Sequence, residues 1–269
     1  MRFFALGLIL SSLLLARTAQ ADMPIATDAP SPPVPPPPTN DWIVNHMFSG
    51  GLTLSSFVSQ STSANTDVGG LAGFRVDVLG VDGTLAYRTN LEARLGGSSD
   101  GFATRDRGAL AFGGAVPIRG VGALTLRGGA DTRYVRTGIV EFGRLYVPNL
   151  ELGIYRFREE GGVQIDIAGT GGLVPYASIR GPQAELDRSL AAGGGGMLSI
   201  GWKNVVGRVS VVHVAGRNWM NDVDASLCFG EGLYACLEAD HTLADPDSGR
   251  FATWRGLITI GVGAAEARR

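Results

Sequence analysis

The stretch "GVDGTLAYRTNLEARLGG", Gly80 to Gly97, alternates in character. From Leu85 the odd positions read Leu85, Tyr87, Thr89, Leu91, Ala93 and Leu95, while the even ones include Arg88, Asn90, Glu92 and Arg94. A period of two puts successive side chains on opposite faces, so this is a strand with one apolar and one charged face. In a soluble sheet the charged face looks outward; in a membrane barrel the apolar face does, and the charges line the lumen. Which face meets water therefore decides the fold.

The rest of the chain repeats the pattern. From Trp42 onward it reads as short alternating segments broken by glycine, asparagine and aspartate. Strands are expected near 48–58, 67–80, 84–95, 105–116, 121–132, 149–157, 163–170, 191–202, 205–214, 222–229, 233–240 and 250–262, with Ala184 to Ala192 as a helical turn or two. Each strand is near the ~9–11 residues that a tilted membrane strand needs. Tight joins at Asp82-Gly83, Pro117 to Gly120, Glu159 to Gly162, Lys203-Asn204 and Gly230 to Gly232 alternate with longer ones at 59–66, 96–104, 133–148, 171–190, 215–221 and 241–249. One end of the sheet would then carry turns and the other loops, as in an outer-membrane barrel.

Turn chemistry supplies a register. Asp82-Gly83 as a two-residue turn sets Phe74, Val76 and Val78 opposite Leu91, Thr89 and Tyr87, and Asp77 opposite Arg88. A turn centred on Arg119 sets Leu110, Phe112 and Gly114 against Gly128, Leu126 and Leu124, with Arg107 opposite Asp131. Lys203-Asn204 pairs Trp202 with Val205, Ile200 with Gly207 and Leu198 with Val209. In each hairpin apolar meets apolar, as one two-faced sheet requires. The apolar face includes Gly114, Gly128, Gly194, Gly196 and Gly207, a poor choice for a packed core but tolerable against lipid. The other face offers a lumen charge network of Arg75, Asp77, Arg88, Glu92, Arg94, Arg107, Arg127, Asp131, Asp166, Arg208 and Arg255, with Glu151 beside them. Phe57, Phe102, Tyr134 and Phe251 at one set of strand ends, and Phe157, Trp202, Phe229 and Tyr234 at the other, suggest two interfacial bands.

The 269-residue chain has a net charge of -2, which argues against a nucleic-acid partner, and 18% charged residues, below the ~25% usual in soluble domains. Arg2, the apolar run Phe3 to Leu15 and the small residues of Ala19-Gln20-Ala21 form a cleavable signal peptide, 1–21, cut after Ala21. Residues 22–41 are a proline-rich periplasmic linker, since "MPIATDAPSPPVPPPPTN", Met23 to Asn40, cannot bury a core. Residues 42–269 are the barrel. With these features the chain resembles the bacterial outer-membrane β-barrel class. The resemblance implies an all-β fold, a closed antiparallel transmembrane barrel of about twelve strands with short periplasmic turns and longer extracellular loops. It also implies outer-membrane lipid, lipopolysaccharide and the barrel-insertion machinery as partners. Members commonly end in an aromatic residue, whereas this chain runs past "FATWRGLITIGVGA" into "AEARR".

Few residues suggest chemistry. Cys228 and Cys236 flank the Gly230 to Gly232 turn on the inward face and read as a hairpin disulfide in an oxidising compartment. No cysteine or histidine pairing suits a metal, and no cofactor is implied. "GSSDG", Gly97 to Gly101, mimics a nucleophile elbow around Ser99 but lies between strands, so it is read as a turn. His213 falls on the lipid face with Gly194 across the strand; Asp240, His241, Asp245 and Asp247 form an acidic loop with calcium as its outside reading. The leading expectation is a non-enzymatic outer-membrane barrel, a narrow or closed channel with a small solute as candidate cargo, or a structural and surface-loop platform. The alternatives are an outer-membrane acyl hydrolase centred on His213 and a secreted soluble β-sandwich that binds ligands on its charged face.

Overall fold

A computed structural model describes residues 45–62, 66–118, 120–156, 162–181, 184–245 and 250–268. The signal peptide and linker expected over 1–41 lie outside the described residues, as do Phe157, Arg119, Asp247 and the turn expected to start at Glu159. The described residues form twelve antiparallel strands: β1 (Asn45–Ser61), β2 (Thr66–Asp82), β3 (Leu85–Ser98), β4 (Gly101–Ile118), β5 (Gly122–Arg136), β6 (Glu141–Arg156), β7 (Gln164–Gly181), β8 (Ala184–Trp202), β9 (Val205–Val214), β10 (Met220–Phe229), β11 (Glu231–Ala244) and β12 (Phe251–Arg268). Each pairs with its neighbours in sequence, and β12 pairs back onto β1. The ladder is a closed barrel with no free edge.

Alternation fixes the polarity of the wall. In β3 the even residues Arg88, Asn90, Glu92 and Arg94 are buried inside, while Leu85 and Leu95 are exposed. Elsewhere the outer face carries Leu54, Leu126, Leu152, Ile258, Ile260 and Val262, each at least 58% exposed. Large apolar side chains facing out all round, with charges inside, is the arrangement of a transmembrane barrel and the inverse of a soluble one.

Several boundaries differ from the sequence reading. Ala184 to Ala192 is not helical but the first half of β8, where Leu186 faces Ile179 of β7 and Glu185 faces Arg180. The connections expected to be long at 96–104 and 171–190 are mostly strand, with β3 and β4 separated by Ser99-Asp100, β7 running to Gly181 and β8 starting at Ala184. Strands of up to 19 residues exceed what the hydrocarbon width needs, so paired backbone continues into polar, glycine-containing sequence that reads locally as loop. The "AEARR" segment, expected to lie past the last strand, belongs to β12 as far as Arg268, with Ala265 opposite Ser49.

Register is kept in one hairpin and slides in two. β8–β9 pairs Trp202 with Val205, Ile200 with Gly207 and Leu198 with Val209, as expected. In β2–β3 the turn is Gly83-Thr84, so Val76 meets Leu91, Phe74 meets Ala93 and Asp77 meets Asn90 rather than Arg88. In β4–β5 Leu110 meets Ala130, and Arg107 meets Arg133 rather than Asp131. Both slides move along the same face, so no side chain changes sides.

The lumen has three layers. At the terminal end, where β1 begins and β12 stops, Met47, Leu79, Val81, Tyr155, Val206 and Tyr234 form an apolar cluster. At the far end Phe142, Tyr146, Val174, Ile179, Leu186, Met220 and Phe251 form another, with a smaller group of Phe57, Leu71, Ala103 and Leu257. Phe57, Phe251 and Tyr234 thus turn inward and do not join outer bands; Phe102, Trp202 and Phe229 do face outward. Inward-facing glycines make the room. A Cβ at Gly261 would lie 2.6 Å from the Tyr234 ring, and one at Gly181 2.9 Å from Phe251.

Candidate functional site: the charged waist of the lumen

Between the apolar ends lies a layer built from ten arginines (Arg75, Arg88, Arg94, Arg105, Arg107, Arg127, Arg133, Arg144, Arg208 and Arg255) and nine carboxylates (Asp77, Glu92, Asp131, Glu151, Asp166, Asp222, Asp224, Glu238 and Asp240), all buried. They come from every strand except β1 and β8, which face them with Ser49, Thr53, Ser55, Ser59 and Ser199. Each side chain is placed by the same alternation that turns its neighbours to the outside, so the waist follows directly from closing a two-faced sheet.

Glu238 is the hub of one half. It receives Arg94 Nη2 at 2.9 Å, Arg75 Nη1 at 3.2 Å and Arg105, and accepts from the Thr259 hydroxyl at 2.7 Å. Arg94 donates to Ser55 at 2.8 Å and Thr259 at 2.9 Å, and its Nε lies 3.0 Å from Glu92 as an ion pair. Asp240 binds Arg255, Arg105 at 3.0 Å and Arg133; Asp224 takes Arg107 at 2.6 Å and Arg105 at 2.9 Å. In the other half Glu151 binds Arg88 and Arg127, and Arg127 Nη2 reaches Asp166 at 2.9 Å. Arg144 joins Asp131 at 2.7 Å to Asp222 at 3.5 Å. Asp77 holds Arg75, Arg208 at 3.1 Å and Asn90.

All eleven residues expected in the lumen are therefore inside, in contact with one another or through shared partners. The sequence reading omitted Arg105, Arg133, Arg144, Asp222, Asp224, Glu238 and Asp240. Asp222, Asp224 and Glu238 share the parity of Cys228 and Cys236, a signal that was present. Arg133 and Arg144 lie where the sequence predicts a loop, and Asp240 adjoins His241 at the start of another. Among the described residues that acidic group is not assembled: Asp240 points inward to Arg255, while His241 stacks on Trp254 at 3.8 Å between ring centroids. Cys228 and Cys236 sit directly opposite across β10–β11 and form a disulfide.

Two other places drew notice in the sequence. Ser99 lies in the β3–β4 turn, where its hydroxyl donates to Asp67 at 2.7 Å; Asp67 also accepts from the Gly138 amide at 2.8 Å, tying two connections together at the far rim. His213 is exposed on the outer wall, with Gly194 opposite on β8 and Asn221 on β10, and its Nδ1 lies 2.7 Å from the Asn221 Oδ1.

Three cavities against the charged residues measure ≈ 20 Å³ each, about one water molecule's room.

No family model and no curated protein matches the sequence. Among solved structures the chain is similar to the beta domain of the Bordetella autotransporter BrkA, at 13% identity over 79% of this chain and 98% of that one, with a TM-score of 0.32. It is similar to the translocator domain of the autotransporter NalP from Neisseria meningitidis at 12% identity, 81% and 88% coverage and a TM-score of 0.30. Pseudomonas aeruginosa OpdK, solved with vanillate, matches at 9% identity, 80% and 97% coverage and a TM-score of 0.25. Scores this low transfer neither a family nor a function. The barrel assignment rests on the chain's own closed ladder and inverted polarity.

Proposed function

We propose that the chain is an integral outer-membrane barrel with a closed lumen and no catalytic role, acting through its wall and its exposed ends rather than by passing solutes. The observation that carries this reading is the filling of the interior. Apolar clusters occupy both ends, and between them the waist leaves cavities of ≈ 20 Å³. A small solute has no path through such a stack without several buried ion pairs opening together, each of which is costly to separate. The apolar band calls for hydrocarbon as its neighbour, and with it the lipid, lipopolysaccharide and insertion machinery of the outer-membrane class. Single-channel recording in planar bilayers tests the reading: no steady conductance is expected, and a large steady conductance would overturn it.

The acyl-hydrolase reading has one supporting observation, the outward His213 with Asn221 as an orienting amide. It lacks a nucleophile at either register position beside the histidine, which are Gly194 and Asn221 themselves. The non-enzymatic reading is therefore the better supported.

A further inference from the structure

Among the described residues the waist is out of electrical balance by one charge. Ten arginines face nine carboxylates there; the remaining buried acid, Asp67, is at the far rim and is committed to Ser99 and Gly138. Arginine does not release its proton in proteins, so the excess cannot titrate away. Left uncompensated in a desolvated interior, it would be strongly unfavourable.

The excess can be located. One of the ≈ 20 Å³ cavities is lined by four guanidinium groups, those of Arg88, Arg107, Arg144 and Arg208, and by only two carboxylates, Asp131 and Glu151. Asp131 is paired with Arg144 and Glu151 Oε1 with Arg88, while Glu151 Oε2 lies 3.0 Å from Arg127 Nε without a hydrogen bond. Arg208 reaches a single carboxylate, Asp77, which it shares with Arg75. Four N–H donors among these residues, Arg107 Nε, Arg144 Nε, Arg144 Nη1 and Arg208 Nε, find no acceptor, while Glu151 Oε2, Asn149 Oδ1 and Thr170 Oγ1 of the same lining are also without a hydrogen-bond partner. All four side chains are at most 9% exposed. Unused buried polar groups beside a cavity call for a species that fills it, and four guanidinium groups against two carboxylates favour a negative one.

We infer that the waist holds one monatomic anion, chloride under ordinary salt, in the cavity bounded by Arg107, Arg144 and Arg208. A spherical anion accepts from several directions at once and supplies the single negative charge that the layer lacks. A tetrahedral or planar oxyanion exceeds a space of about one water molecule. Because both ends of the lumen are packed, the ion would be taken up as the barrel closes. The inference rests on the closed reading as well as on the interior charge count, and the conductance measurement tests that reading separately.

The experiment is to refold the full chain into detergent in sodium bromide, sodium chloride or sodium gluconate at equal ionic strength. Crystals grown from the bromide sample are then measured at the bromine absorption edge. An anomalous peak in contact with Arg144 and Arg208 is expected. The thermal midpoint should be higher in either halide than in gluconate by roughly 3–6 °C once halide exceeds its dissociation constant tenfold. Arg208→Met, which restores nine against nine, should abolish that difference. No bromide peak, together with equal midpoints for the wild-type chain in halide and gluconate, would overturn the assignment whether or not the variant folds.

Discussion

At the waist of the lumen Glu238 gathers Arg75, Arg94 and Arg105, whereas at the far end Ile179, Met220 and Phe251 pack in an apolar cluster built by several of the same strands. The two regions hold the lumen together by different physics. Apolar packing at the ends gains free energy with each atom buried. Ion pairing at the waist roughly offsets its own desolvation, so what it adds is a demand that every partner be present. The ends should degrade gradually under mutation and the waist abruptly.

The largest effect is expected from removing a hub. Glu238→Ala leaves three buried guanidinium groups short of a carboxylate and should cost about 3–5 kcal/mol in denaturant unfolding of the folded barrel. A loss below about 1 kcal/mol would mean that water already shares the waist, and the contrast with the ends would disappear. Ile179→Ala in the far cluster should cost about 3 kcal/mol through lost burial and a residual cavity. A double variant with Glu238→Ala, read by the same unfolding curve, should be additive if the layers are independent. The smallest effect sharpens the comparison from outside. Arg180 and Glu185 form a pair at 3.3 Å with side chains 55% and 72% exposed, and Arg180→Gln should shift stability by no more than about 0.5 kcal/mol. A shift as large as that of Glu238→Ala would show that burial is not what distinguishes the waist.

How far the sequence could be read follows from which property each feature depends on. Face assignment needs only the period of two, so Arg88, Glu92 and Arg94 were placed inside from a single strand. Register needs the turn as well. Lys203-Asn204 closes β8–β9 as expected, with Lys203 at a φ of 50°, but Asp82 continues β2 and hands the turn to Gly83-Thr84. Because such a slide preserves parity, the lumen set survived it while individual pairs, Asp77 with Arg88 among them, did not. Strand ends were the weakest point. Stretches such as Ala184 to Ala192, which read locally as a helical turn, pair because the neighbouring strand offers them a ladder, a non-local cause that no window of sequence contains. The inward turn of Phe57, Phe251 and Tyr234 has a similar origin. Each fills space above a glycine on another strand, Gly69, Gly181 and Gly261 respectively.

The central claim is that the outer wall meets hydrocarbon and the charged face does not meet bulk water. Environment-sensitive fluorophores at the outward positions Leu126 and Leu152 and the inward positions Ala109 and Ala168, in bilayers with brominated acyl chains, test it most directly. Strong quenching at the two outward sites and little at the two inward ones is predicted. Outward sites quenched by an aqueous agent and untouched by the acyl chains would contradict it.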